Sequence, residues 1–296
     1  MRWLAGLPLL LLTMPALAHG LGTLDEDWIG SPLLLALVLY VLGLLRLWRR
    51  AGLNRGVPVW QAACFVSGIG FLLLVIASPW HALAQGLFFA HMLEHELLML
   101  LAAPLLVLGR PLGVYAWSLP ATWRRPGYRL LRGRRRLLPV WHALSRPALA
   151  TGLHAAAIWI WHVPVLFQAA LLHPVLHALQ HLSFLLTALL FWAVLFRRGT
   201  HRHPATAMLY LFITALHTSA LGALLTLSQR LWYPHASGFA GRWHLSLLED
   251  QQLAGLIMWI PGGVLYTLIA LIIFGFWLNR QPAPAAWEQR HAWSGG

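Results

Sequence analysis

The sequence has no lysine, a single cysteine, Cys64, and only eight aspartates and glutamates in 296 residues. One cysteine excludes an intrachain disulfide and a Cys-x-x-Cys redox or metal motif. It also excludes the four-thiolate sites of structural zinc and iron–sulfur proteins. Charged residues make up 10% of the chain and hydrophobic residues 59%, whereas a soluble domain has about a quarter charged residues. The composition therefore predicts an integral membrane protein.

The N-terminus has the pattern of a secretory signal peptide. Arg2 precedes an apolar run, and Ala16-Leu17-Ala18 has the small residues of a cleavage site. We expect residues 1–18 to be removed, which would make His19 the first residue. A free amino group and an imidazole on one residue can chelate copper, so His19 is a candidate accessory ligand. Without cleavage, the segment would form an extra N-terminal helix.

Seven further apolar spans follow the signal peptide. Each has about twenty residues or more, which is roughly 30 Å of helix and enough to cross a bilayer. We therefore predict an all-α, polytopic membrane helix bundle over residues 19–278, followed by a disordered, proline- and alanine-rich cytoplasmic tail at 279–296. The predicted spans are 31–48, 58–78, 86–108, 147–172, 174–196, 204–228 and 251–278.

The positive charge is distributed unevenly between the loops. Eighteen arginines follow the first, third, fifth and seventh spans, whereas Arg230 and Arg242 lie between the sixth and seventh. The positive-inside rule then predicts a mature N-terminus outside and a C-terminus in the cytoplasm of a bacterial-type inner membrane. We interpret the cluster at 124–136 as a topology determinant that also attracts anionic lipid. Nucleic acid is not an expected partner.

The third span contains four ionisable residues within six positions, His91, Glu94, His95 and Glu96. A carboxylate or a base at mid-membrane costs about 2.5 to 3.5 kcal/mol on insertion scales, so this density indicates a function. His91 and His95 are four residues apart and share one helix face, and Met99 extends the stripe. Glu94 lies near that face, where it could hold an imidazole N–H or relay protons.

Four spans each bring at least one histidine into the same half of the membrane. At 1.5 Å per residue, these histidines lie roughly 8 to 16 Å below the outer surface, with His177 shallower. Imidazole and thioether are copper ligands, and the softer methionine favours Cu(I). Asp250, at the start of the last span, either complements its own helix dipole or lies at the mouth of the site. The predicted ligands are His91, His95, His162, His177, His181 and His217, with Glu94, Met99, His19 and Asp250 as accessory residues.

Five motifs combine the histidines with prolines and glycines. They are His91-Met92-x-x-His95, Pro104-Leu105-x-x-Leu108-Gly109-Arg110-Pro111, Trp161-His162-Val163-Pro164, His173-Pro174-x-x-His177-x-x-x-His181, and Glu249-Asp250-Gln251-Gln252 running to Met258-Trp259-Ile260-Pro261-Gly262-Gly263. Together these motifs resemble the CtaG family, the membrane assembly factors of caa-type cytochrome c oxidase. This resemblance implies a multi-span inner-membrane protein that assembles a haem–copper oxidase, with an oxidase subunit as its partner and copper as the metal that it handles as a metallochaperone.

Two other functions use the same histidines. A membrane b-type cytochrome would bind haem through two of them as axial ligands. A metal or proton transporter would use Glu94 as a relay and would need a polar path through the other half of the membrane. The sequence shows no nucleophile–base arrangement, phosphate loop or pair of catalytic acids, so we do not expect an enzyme.

Overall fold

The structure is a computed structural model that describes residues 27–76, 79–120, 122–123, 138–196, 204–234 and 240–279. The predicted signal peptide, His19 and residues 280–296 of the predicted tail lie outside these residues, as does the whole arginine cluster at 124–136. Expectations about those segments therefore stay predictions.

Every regular element in the described part of the chain is a helix, as the composition predicts. The described residues contain no strand. The α-helices are α1 (Asp27–Ala51), α2 (Val59–Ile76), α3 (Pro79–Ala84), α4 (Phe88–Glu96), α5 (Ala103–Leu108), α6 (Pro111–Ser118), α7 (Leu138–Leu144), α8 (Pro147–Trp161), α9 (Pro164–Leu172), α10 (Pro174–Leu195), α11 (Pro204–Leu227) and α12 (Leu247–Leu278), with a π-helical turn at Leu97–Ala102 and a 3₁₀ turn at Ala240–Trp243.

The number of possible membrane spans agrees with the prediction. Six helices or continuous helical segments are long and apolar enough to cross a membrane, and α8 with α9 makes a seventh if the bent pair is one span. The pair bends by 76°, where the sequence alone predicted one uninterrupted span. Val163 explains the break, because a residue before proline disfavours the helical conformation, and its φ and ψ of −64° and 123° are extended.

A π-helical turn interrupts the third span. Pro104 has no N–H to donate to the carbonyl of Leu100 four residues back, and the N–H of Ala103 bonds the carbonyl of Leu98 five residues back. The wider turn holds more residues than an α-helical turn, so a four-residue step no longer returns to the same face. Met99 accordingly lies in the apolar core, and its carbonyl accepts the indole N–H of Trp192 at 2.9 Å.

Helices α11 and α12 approach each other most closely at two glycines. A Cβ added to Gly222 would lie 2.8 Å from the carbonyl oxygen of Gly255, and one added to Gly255 would lie 2.6 Å from that of Gly222. These contacts are with backbone, which cannot move aside as a flexible side chain can. Small residues are what allow membrane helices to pack this closely.

We expect Gly255→Ala to destabilise the bundle by about 1 to 3 kcal/mol, because the added methyl group forces two backbones apart. Thermal unfolding in detergent, followed by circular dichroism, measures the change. Gly152→Ala is the matched control, since an added Cβ there meets nothing within 4 Å and alanine is the better helix former. Equal melting temperatures for the two variants would contradict the close crossing.

Candidate metal centre

Five histidine rings lie in mutual contact at one end of the bundle. We call His81, His91, His95, His177 and His181 the histidine cluster. The ring centroids are 4.4 Å apart within each of the pairs His91–His95 and His177–His181. Between helices, the centroids of His95 and His181 are 5.0 Å apart, and those of His91 and His177 are 5.3 Å apart. Helices α3, α4 and α10 thus bring their imidazoles into one place.

The local sequence explains two of these three contributions. Histidines four residues apart share a helix face in both α4 and α10. Pro174 fixes the first turn of α10, since proline is suited to the start of a helix, and His177 follows three residues later. Both histidines of each pair therefore lie on the side of their helix that faces the cluster.

His81 was not among the predicted ligands. It lies on the six-residue helix α3, which connects two predicted spans. The predicted ligands were chosen by their depth within a span, and a residue between spans has no such depth. Its ring is 5.7 Å from that of His177 and 6.4 Å from that of His181. The sequence feature that could have identified His81 as a ligand is its position ten residues before His91, on the same side of the membrane.

Hydrogen bonds to carbonyl oxygens fix the protonation of two of the buried rings. His162 donates from Nδ1 to the carbonyl of Ile158 at 2.7 Å, and the His91 ring donates to the carbonyl of Ala84. Because a carbonyl only accepts, the other nitrogen of each neutral ring, Nε2, carries the lone pair. Metal-binding histidines are commonly oriented by such a bond.

Several nitrogen atoms of these rings have no hydrogen-bond partner among the described residues. They are Nε2 of His91, His162, His177 and His181 and both ring nitrogens of His95. His91 and His95 are each only 1% exposed, so bulk solvent does not reach their rings. An unpaired buried polar group costs about 1 to 3 kcal/mol, which makes these nitrogens the most unusual feature of the bundle.

His162 borders the cluster across two aromatic rings. Its centroid is 6.3 Å from those of Phe167 and Phe184. Phe167 in turn contacts His91, and Phe184 contacts His95, with centroids 5.3 and 4.8 Å apart. His162 also lies close enough to His91 and His95 to interact with both electrostatically.

His217 lies elsewhere. In the part of the chain that the structure describes, no ring contact joins it to the cluster, and the histidine with which it interacts electrostatically is His154. His154 was not among the predicted ligands. The structure thus brings together four of the six predicted ligands, adds His81, places His162 beside them and separates His217.

The two carboxylates of the third span face different neighbours. Glu94 is completely buried, and its Oε1 lies 3.1 Å from Nδ1 of His81. The carboxylate thus meets an imidazole as expected, but on α3 rather than on its own helix. A Cβ added to Gly262 would lie 3.5 Å from Oε2 of Glu96, so Glu96 faces α12 and not the histidines.

Asp250 caps the helix that carries His91 and His95. Its carboxylate accepts hydrogen bonds from the backbone N–H groups of Phe88 and Phe89, both at 2.9 Å. These N–H groups belong to the first turn of α4, which has no intrahelical acceptors. The side chain is fully buried. Asp250 therefore acts on α4 across the bundle, whereas the sequence had suggested its own helix or the mouth of the site.

A hydrogen-bonded loop covers the same end. Gln251 accepts from the N–H of Trp232 at 2.7 Å and donates to the carbonyl of Arg230 at 3.0 Å. The hydroxyl of Tyr233 donates to the carbonyl of His162 at 2.5 Å. Burial raises the pKa of Tyr233, which keeps the phenol protonated as a donor. The start of α12 thus ties the loop to the bend between α8 and α9.

The described side chains do not form a complete metal site. No three histidine, cysteine, aspartate or glutamate side chains, among those described, point their ligand atoms at one common position. The cluster is instead a set of closely spaced rings, four of which have nitrogens without a hydrogen-bond partner among the described residues, namely His91, His95, His177 and His181.

The family comparison agrees with the motifs in the sequence. The profile of a family described as "Cytochrome c oxidase caa3 assembly factor (Caa3_CtaG)" matches residues 38–280, which include the whole histidine cluster and Asp250. No curated protein and no solved structure matches the chain. The resemblance inferred from the histidine and proline motifs is confirmed. The chain belongs to the CtaG family of cytochrome c oxidase assembly factors.

Proposed function

We propose that this assembly factor binds Cu(I) at the histidine cluster and passes it to a subunit of cytochrome c oxidase. The observation that carries the proposal is the set of buried ring nitrogens without hydrogen-bond partners among the described residues. A packing role would favour rings with satisfied nitrogens. One metal ion would satisfy several of these nitrogens at once.

The ring spacing suits a shared ion. Two imidazoles bound to one tetrahedral ion at about 2 Å have centroids about 5 Å apart. The contacts of His95 with His181 and of His91 with His177, at 5.0 and 5.3 Å, are close to that distance. Ring rotation, rather than backbone movement, would then complete the site.

Imidazole binds copper as well as zinc, iron and nickel, and the choice of copper among them rests on the cytochrome c oxidase that the family assembles. Imidazole suits copper, whereas the cluster lacks the thiolates typical of iron–sulfur and many structural zinc sites. A monovalent ion also brings less uncompensated charge into the membrane than a divalent one. Among the described residues, Glu94 is the carboxylate that lies at the cluster, by way of its contact with His81, and it can balance that charge.

The same contacts argue against the haem alternative. The rings of His91 and His95, and of His95 and His181, pack directly against each other at 4.4 and 5.0 Å. A porphyrin between two axial histidines needs a flat space that these rings leave no room for. A small ion needs no such space.

We expect Glu94→Gln to lower the Cu(I) affinity by about 10- to 100-fold, as loss of a partner of a metal-binding histidine commonly does. A competition titration with a colorimetric Cu(I) chelator measures the affinity. Glu96→Gln is the matched control, because it removes a buried carboxyl two residues away that faces Gly262. Equal affinities for the two variants would show that Glu94 plays no part in copper binding.

The delivery step is tested in cells that lack the native chain and carry either the wild-type protein or the His95→Ala, His181→Ala variant. We expect the variant to yield oxidase with less copper per haem and lower activity, and added copper to restore part of both. The variant must be present in the membrane at wild-type levels. Fully copper-loaded oxidase in the variant strain would contradict copper delivery by the cluster.

A further inference from the structure

One member of the histidine cluster lies nearer to the surface than the pair on α4. The side chain of His81 is 15% exposed, whereas His91 and His95 as whole residues are each 1% exposed. His81 is on α3, which lies between two possible spans, Val59–Ile76 and Phe88–Leu108. Because consecutive spans are joined outside the hydrocarbon core, α3 lies at a membrane surface. The cluster therefore has an edge at that surface and a buried interior.

Ring contacts connect this edge with the interior. The His81 ring stacks on that of His177, with centroids 5.7 Å apart and an angle of 24° between the ring planes. The His177 ring also stacks on that of His91, at 5.3 Å and 28°. The rings of His91 and His95 are 4.4 Å apart. No step on the path from His81 to His95 is therefore longer than 5.7 Å.

Each ring on this path offers a nitrogen ligand. Oε1 of Glu94 is 3.1 Å from Nδ1 of His81. Because a carboxylate only accepts, Nδ1 donates and the lone pair of the neutral ring is on Nε2. Nε2 of His177 and Nε2 of His91 have no hydrogen-bond partner among the described residues. Since rings about 5 Å apart can share one ion, an ion can pass from one imidazole to the next while it stays bound.

We infer that His81 is the entry ligand of the histidine cluster, which binds Cu(I) at the membrane surface and passes it by way of His177 to the buried pair on α4. This inference rests on the proposed function for the identity of the ion, and it adds the route that the ion follows. Each step forms one copper–nitrogen bond and breaks another, so no electron and no proton is transferred. Release to an oxidase subunit follows the same route in reverse.

Stopped-flow measurement of Cu(I) loading tests the entry ligand. Full-length apo-protein in detergent is mixed anaerobically with the coloured Cu(I) complex of bicinchoninate, and the loss of colour gives the loading rate. His81→Phe keeps an aromatic ring but removes both nitrogens. Without an entry ligand, the ion reaches the buried rings only when the helices move apart. Since binding that requires a conformational change is slow, we expect His81→Phe to lower the loading rate constant by about 10-fold or more.

Two further variants separate entry from the loss of any ligand. His95→Ala removes a buried ligand and should load at the native rate but release copper faster, because changes in affinity mostly affect the dissociation rate. His173→Ala removes an exposed histidine at the same end of α10 as His177 and should change neither rate. Circular dichroism confirms that each variant remains folded.

The exposed edge is also tested without copper. Diethyl pyrocarbonate modifies accessible imidazoles, and mass spectrometry gives the rate at each histidine. In the apo-protein we expect His81 to be modified faster than His91 and His95. Equal rates at the three residues would overturn the proposed edge.

The outcomes distinguish the entry route from the proposed function. A native loading rate in His81→Phe, whatever its affinity, would overturn the entry route and leave copper binding by the cluster intact. Faster loading in His81→Ala than in the native protein would show that the ring is a barrier, and would also overturn the entry route. No Cu(I) bound by the native protein would overturn the route and the proposed function together.

Discussion

Replacing His91 and His95 together by alanine is expected to lower the Cu(I) affinity of the histidine cluster by about 100-fold or more, since loss of even an outer partner costs 10- to 100-fold. The ring of His91 contacts those of His177 and His181, and the ring of His95 contacts those of His91 and His181. Removal of both rings leaves the cluster with His81, His177 and His181 only, and with no ligand from α4. A chelator competition titration measures the change.

The control for this variant is His142→Ala. His142 is exposed on α7, so its removal tests whether any histidine of the chain binds copper non-specifically. We expect its affinity to equal that of the native protein. Native affinity in the His91→Ala, His95→Ala variant, with its fold intact, would mean that copper does not bind at the cluster.

Asp250→Ala is expected to have the largest effect on stability, roughly 2 to 5 kcal/mol. Two buried backbone N–H groups of α4 lose a charged acceptor, and each such loss costs about 1 to 3 kcal/mol. The first turn of α4 should fray and displace His91, which follows Phe88 by three residues. Thermal unfolding by circular dichroism gives the stability, and Cu(I) titration gives the effect on the cluster.

Two further variants at this turn separate charge from hydrogen bonding. Asp250→Asn keeps one carbonyl acceptor and should lose less stability than Asp250→Ala. Glu249→Gln removes an exposed charge one residue away and preserves the capping box with Ser246, so we expect little change. If Asp250→Ala melts at the same temperature as Glu249→Gln, the cap on α4 contributes nothing.

The spans could be predicted because bilayer thickness sets a minimum length for an apolar helix. The capping box of Ser246 and Glu249 was also predictable, since its four residues are local in sequence. The bend at Val163 was missed, although the following proline indicated it. A prediction from hydropathy alone treats α8 and α9 as one span, because both helices are apolar.

The composition of the site was only partly predictable. Spacing gives the face of each helix but not the direction in which that face points within the bundle. His217 has a depth similar to that of His162, yet the histidine with which it interacts electrostatically is His154 and not a member of the cluster. His81 lies outside any span and had no depth to assign. Asp250 contacts residues about 160 positions away, a pairing that no local pattern in the sequence can indicate.

The central claim is that buried histidines of this assembly factor bind copper, and the most direct test is the metal content and visible absorption of the detergent-purified protein. After loading with Cu(I), the native protein should retain at least one equivalent of copper without a Soret band. The His91→Ala, His95→Ala variant should lose the equivalent held by the cluster. A Soret band with no bound copper would contradict the account and indicate a haem site.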